Sequence, residues 1–177
     1  MSEASTRPDD DLDRRLAQVR LVVFDVDGTL TDGRVTYLGG DEQQTFCVRD
    51  GYALARITRA GIAHVWITGR GCEATERRAA ELKVTKLLVE VADKARALAE
   101  IQAELGVSPE ETLVMGDDLP DLAMRPGAGL FAAPADAAEE VVARADFVSC
   151  ARGGAGAARE VCRRLLVAHG AWPESEV

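Results

Sequence analysis

The segment Leu21-Val22-Val23-Phe24-Asp25-Val26-Asp27-Gly28-Thr29-Leu30 constrains the fold more than any other part of the chain. Four consecutive apolar residues run into two carboxylates placed two positions apart. An apolar run of this length, with no polar alternation, predicts a strand buried on both faces, as in a parallel sheet. Asp25 then falls at the carboxyl end of the strand, where open α/β sheets place their chemistry. Gly28 permits the turn that brings Asp27 to the same side. One carboxylate can attack while its neighbour handles the proton, provided that a cation offsets their repulsion. The pattern points to an aspartyl-phosphate chemistry, against which the rest of the chain can be read.

Strand and helix signals alternate after this point. Strands are expected at 21–26, 62–67, 86–89, 112–115, 128–131 and 147–148, and helices at 51–60, 72–82, 92–105, 136–143 and 156–168. Val35 to Leu38 and Gln43 to Val48 read as two arms of a hairpin turned at Gly39-Gly40-Asp41. Repeated β-then-α order with short connections predicts a Rossmann-like three-layer α/β sandwich with a parallel central sheet. The expected organisation is an N-terminal extension at 1–19, one domain at 20–168 with the hairpin at about 34–48, and a tail at 169–177. Acidic residues gather at the ends (Glu3, Asp9, Asp10, Asp11 and Asp13; Glu174 and Glu176), which predicts solvated, mobile termini.

A chain of 177 residues supports one sizeable core. Its net charge of −9, with no basic stripe, argues against a nucleic-acid partner. No stretch approaches the ~20 apolar residues of a membrane span, and the N-terminus has no secretory h-region. Cys47, Cys72, Cys150 and Cys162 lack metal-site spacing. A cytoplasmic protein with free thiols is the expectation, with Cys162 and Met115 in the core and His64 and His169 as ordinary surface or packing residues.

Three strand ends carry polar residues: Asp25 and Asp27, Thr68, and Asp117 with Asp118 and Asp121. Lys94 opens a helix just after another strand. Strands lying side by side would gather these groups in one crevice. Several carboxylates there need a cation, and an all-oxygen donor set suits Mg²⁺. A hydroxyl, an ammonium and backbone N–H groups could hold a phosphoryl group, whose transfer is mostly positioning and charge stabilisation.

The pieces DVDGTL (25–30), ITGR (67–70), Lys94 and GDDLPD (116–121) resemble, in order, the motifs of the haloacid dehalogenase superfamily of phosphotransferases. The resemblance implies Asp25 as the nucleophile and Asp27 as the acid that protonates the leaving alcohol and then activates water. It implies Thr68 and Lys94 as holders of the phosphoryl oxygens. Asp117 would bind Mg²⁺ with Asp25 and the Asp27 carbonyl, with Asp118 and Asp121 supporting from behind. The interval between Asp27 and Thr68 has room for a hairpin and one helix, so the enzyme is expected to lack a cap domain. Its open site would then be completed by a neighbouring subunit.

TFCVRDGYAL (45–54), TDG (31–33), TGR and ADFVSCARGGAGAAREVC (145–162) are similar to the branch that hydrolyses 3-deoxy-D-manno-octulosonate 8-phosphate for lipopolysaccharide-type sugar synthesis. This similarity implies a homotetramer whose hairpins pack together and whose C-terminal segments can reach a neighbour's site. Val48, Arg49, Asp50, Gly51, Arg70 and Arg78 would contact the sugar acid, an Arg fork being well matched to a carboxylate. Arg77 and Arg78 are adjacent, so only one of them can face the site. Four departures stand out: Cys47 for a usual Asn, Ala53 for Gly, Val89-Glu90-Val91 for a Gln-Gly-Gln-like run, and Ala155 for a larger residue inside the glycine-rich segment. They bear on the sugar rather than on the phosphatase chemistry. The rival expectations are another acidic sugar phosphate, such as a sialic-type 9-phosphate, and a non-catalytic tetramer-forming module; Arg70 favours the octulosonate branch over the sialic one.

Overall fold

The structure is a computed structural model and describes residues 8–39 and 41–173. Strand β1 (Leu21–Phe24) lies third in a six-stranded, wholly parallel sheet. On one side come β4 (Ala63–Ile67) and β5 (Lys86–Leu88); on the other come β6 (Thr112–Met115), β7 (Leu130–Ala133) and β8 (Phe147–Val148). Strand order reverses between β1 and β6, the position at which doubly wound sheets open a crevice. Register sharpens this: Phe24 is level with Trp66 on β4 and Met115 on β6. Asp25, Thr68 and Gly116-Asp117 therefore emerge together at the carboxyl edge.

The unbroken apolar runs reflect burial on both faces. Val22, Phe24, Trp66, Leu113 and Met115 pack against helices α2 (Val48–Arg59) and α7 (Ala157–Ala168). Leu21, Val23, Val65, Ile67 and Val114 face α4 (Lys94–Leu105) through Leu98 and Ile101. Each fully buried aliphatic or aromatic side chain contributes roughly 1.5–3 kcal/mol. Cys162 and Met115 are core residues as expected. His64 lies inside the same wall with neither ring nitrogen hydrogen-bonded, and burial pushes its pKa down to about 4.

Several boundaries differ from the sequence reading. The N-terminal segment is not a free end throughout: helix α1 (Pro8–Leu16) packs Leu12 and Leu16 into the core beside α7. Residues 1–7 and 174–177 lie outside the described residues. The hairpin is shorter, with arms β2 (Thr36–Leu38) and β3 (Asp41–Gln43), and α2 begins at Val48 instead of residue 51. Helix α3 (Glu73–Leu82) keeps its expected place. The fifth sheet strand is displaced by two residues to Leu130–Ala133. Trp172 in the tail packs on its own chain, where the Arg159 guanidinium lies over Trp172 and Tyr52 at 5.3 and 5.5 Å from the ring centroids.

Candidate active site

The carboxyl edge of β1 places Asp25 in a nearly closed environment, 4% exposed. Lys94 opens α4 and is itself 7% exposed. Its ammonium bridges two carboxylates, with Nζ 2.6 Å from Asp25 Oδ1 and 2.6 Å from Asp121 Oδ1. Asp121 uses its other oxygen to accept from the backbone N–H groups of Asp117 (3.0 Å) and Asp118 (3.2 Å). Asp121 is thus fixed by three donors and locks the Gly116–Asp118 turn against the lysine. Asp117 sits against Gly28, which has φ +95°; a Cβ there would fall 2.1 Å from Asp117 Oδ2. The Thr29 hydroxyl donates to Asp117 Oδ1 at 2.9 Å.

One oxygen from each of Asp25, Asp117 and Asp121 lies within 4.8 Å of the others. Three carboxylates facing one ammonium leave an excess of negative charge. Burial, reinforced by Asp121, holds the Asp25 carboxyl well above its ordinary 3.8 despite Lys94. Burial likewise raises Asp117 to about 6, against the opposing hydrogen bond from Thr29. Burial works against the Lys94 ammonium, but Asp25 and Asp121 keep its pKa above 10.5. A cluster that retains protons at such pH fits a hard divalent cation held by oxygen.

The linkage has a definite sign. The folded carboxyls hold protons that the unfolded chain releases, so metal-free stability falls as pH rises from 3.8 through about 6. Mg²⁺ neutralises the charge that causes this loss. Thermal melts should therefore show a larger Mg²⁺-induced rise in Tm near pH ~8 than near pH ~5. Equal rises at both pH values would show that these carboxylates do not bind the ion.

Asp27 faces the crevice from the other side. The Thr68 hydroxyl donates to Asp27 Oδ2 at 2.9 Å and accepts from the Arg70 N–H at 3.0 Å. Gln44 Nε2 approaches Asp27 Oδ1 at 2.7 Å. Arg70 reaches back to the hairpin, its Nη2 2.6 Å from Glu42 Oε2.

Other expected site residues take different places. Asp118 is exposed and serves as N-cap of the short helix α5 (Leu119–Leu122), accepting from the Leu119 N–H at 2.8 Å. The buried partner of Lys94 is Asp121, three residues on. Asp50, expected at the sugar, is 2% exposed. Its two oxygens accept from the N–H groups of Gly156 (3.2 Å) and Arg159 (2.8 Å), capping α7 from across the fold. Gly51 is buried because Arg78 lies over it; a Cβ would meet the guanidinium at 2.0 Å. Arg78 pairs with Glu81 at 2.7 Å, and its Nε is buried without a partner. Val48 and Arg49 are exposed in the first turn of α2. Glu90 stands in the left-handed region at φ +56°, a conformation that favours glycine.

Gly153 and Gly154 are not part of a free tail. The Gly154 N–H donates to Thr29 O at 3.1 Å, and the Gly153 N–H donates to Asp136 Oδ1 at 2.9 Å. A Cβ on Gly153 would lie 1.7 Å from Gly28 O. Gly153→Ala must displace the Gly28–Thr31 loop, and we expect a loss of about 1–3 kcal/mol in urea unfolding together with most turnover. Ala155, two residues on, is exposed, so Ala155→Arg should leave the stability unchanged.

A family model described as haloacid dehalogenase-like hydrolase matches residues 87–159. The 3-deoxy-D-manno-octulosonate 8-phosphate phosphatase of Escherichia coli (strain K12) is 38% identical over 168 residues, which cover 94% of this chain and 89% of that protein. The crystal structure of the same phosphatase from Yersinia pestis is 38% identical with a TM-score of 0.89, covering 91% of this chain and 88% of that one. The phosphatase from Moraxella catarrhalis, solved in complex with magnesium ion, phosphate ion and KDO, is 34% identical with a TM-score of 0.88, covering 90% and 92%. With this identity sustained over nearly its whole length, the chain belongs to the 3-deoxy-D-manno-octulosonate 8-phosphate phosphatase family of haloacid dehalogenase-like hydrolases.

Proposed function

We propose that the chain is a Mg²⁺-dependent phosphomonoesterase that hydrolyses 3-deoxy-D-manno-octulosonate 8-phosphate through a phospho-aspartate on Asp25. The observation that carries this reading is the buried Asp25–Lys94–Asp121 bridge beside Asp117, with Asp27 held by Thr68 at the mouth. Asp25 attacks phosphorus; the bond to the sugar oxygen breaks, and that oxygen takes a proton from Asp27. Asp27 then removes a proton from water as the water attacks phosphorus; the Asp25–phosphorus bond breaks, which restores the Asp25 carboxylate and releases inorganic phosphate. Lys94 and Thr68 turn from their resting partners towards the phosphoryl oxygens. Asp25, Asp117 and the Asp27 carbonyl would hold Mg²⁺, which supplies positive charge to the phosphoryl group. Asp121 keeps Lys94 in place, and Asp118 contributes only the cap.

At the sugar end, Arg49 and Val48 are exposed, and Arg70 is exposed while paired with Glu42. A substrate carboxylate would compete for Arg70. Asp50, Gly51 and Arg78 support this surface from behind. The exposed apolar residues Tyr37 (70%), Leu38 (70%) and Val48 (80%) support a homotetramer assembled through the hairpins. Four free thiols fit a reducing, cytoplasmic setting.

Phosphate release from the octulosonate phosphate and from a panel of other sugar phosphates, with and without Mg²⁺, tests this. A strong metal-dependent preference for the octulosonate is expected. A preference for a nine-carbon acid or another sugar phosphate retires the substrate and keeps the chemistry. No turnover of any phosphomonoester retires both.

A further inference from the structure

Among the described residues the hairpin is the one excursion from the β/α alternation, and its returning arm reaches the reaction centre. β3 ends at Gln43, and the next residue, Gln44, has its Nε2 2.7 Å from Asp27 Oδ1. With any proton on the other oxygen, Asp27 Oδ1 can only accept, so the amide presents its NH₂ end to Asp27 and its carbonyl elsewhere. That carbonyl accepts from the hydroxyl of Thr75, which is 1% exposed on α3. Asp27 decides the amide orientation, and the buried threonine hydroxyl, which can donate or accept, anchors the carbonyl end. Two residues earlier, on the same face of the arm, Glu42 pairs with Arg70 at 2.6 Å. The hairpin is therefore fastened to the site at two points, one of them on Asp27 itself.

Asp27 has little else to orient it. Thr68 is its other side-chain partner, on Oδ2. Thr68 sits where it must release Asp27 to meet a phosphoryl group. A carboxylate rotates readily about its terminal bond, for which the torsional preference is broad. We propose that Gln44 is a positioning residue for Asp27. By holding Oδ1 it leaves Oδ2 as the oxygen that carries the proton to the leaving group. In the first half-reaction the Asp25–phosphorus bond forms, the phosphorus–oxygen bond breaks, its electron pair goes to the sugar oxygen, and the proton on Oδ2 follows. This inference rests on the phosphatase reading above.

The role predicts a leaving-group signature. An alkyl leaving group such as a sugar hydroxyl needs the proton; p-nitrophenolate is stable as an anion and departs without it. Gln44→Leu should lower kcat/KM for the octulosonate phosphate by about 10–100-fold and change that for p-nitrophenyl phosphate by less than about threefold. KM for each should stay near the wild-type value. Thr75→Val, which keeps the shape and removes the hydroxyl that anchors the amide carbonyl, should show a smaller loss with the same selectivity. It carries the test alone if Gln44→Leu fails to melt as a folded protein. Equal losses on both substrates, or none on either, overturn the positioning role. Failure of the wild-type enzyme to release phosphate from either substrate overturns the phosphatase reading instead.

Discussion

Asp25→Asn should remove Mg²⁺-dependent phosphate release by at least about 10⁴-fold while leaving the protein as stable as before or more so. The chemical half follows from the role: an amide has no anionic oxygen to form the phospho-enzyme. The stability half follows from electrostatics. Asp25 is buried among Asp117 and Asp121, and its raised pKa means that the fold disfavours its ionised form. Replacing it with a neutral isostere removes that repulsion. Lys94 still keeps Asp121 as a partner at 2.6 Å. The measurement pairs initial rates with a thermal melt in the absence of metal. An inactive variant with an unchanged or higher Tm isolates the chemistry. Substantial residual turnover would end the covalent mechanism, and a large drop in Tm would mean that Asp25 acts as a structural counter-ion to Lys94.

That Asp25 could be placed from sequence at a site-forming strand end reflects how strongly a parallel strand constrains its own carboxyl end. An apolar run buried on both faces can present polar residues only where it stops, so Asp25, Thr68 and Asp117 were legible as strand ends. Strands 112–115 and 147–148 appear where expected. The roles within GDDLPD were less legible. Asp118 and Asp121 form the two halves of a capping box, and sequence spacing does not tell which half faces solvent and which faces a lysine on another helix.

The other misses share a cause: contacts made from far along the chain. Helix α1 is a strongly acidic segment with no continuous apolar run, and it is held by Leu12 and Leu16 against α7, some 150 residues away. The start of α2 was hidden by Gly51, a poor helix former that is required because Arg78 lies over it. Asp50 resembles a site residue in sequence, yet it caps a helix more than a hundred residues downstream. Gln44 carried no signal of its own, since a glutamine after a turn reads as surface until Asp27 and Thr75 are seen on either side of it.

Lys94→Met tests the bridge from the other end. The substitution keeps an unbranched side chain of similar length, so packing is nearly preserved and the ammonium alone is lost. Asp25 and Asp121 each lose a buried ion pair of 2.6 Å, and three carboxylates are left with no opposing charge. Removing one member of a buried pair typically costs about 3–5 kcal/mol, because the remaining charge stays desolvated. We expect a loss of that size in urea unfolding near neutral pH, together with nearly complete loss of turnover. The loss should shrink as pH falls, because protonation relieves the uncompensated charge, and Mg²⁺ should recover part of it by taking over neutralisation. Turnover should not recover with stability, since in the proposed mechanism Lys94 would also hold the phosphoryl oxygens. Lys94→Arg separates the two roles: it keeps the charge but replaces a compact donor with a planar fork that cannot hold both carboxylates in the same way. It should regain stability with Mg²⁺ absent and remain impaired in kcat. A Lys94→Met protein that unfolds like the wild type would show that the ammonium is not the counter-charge that stabilises Asp25 and Asp121.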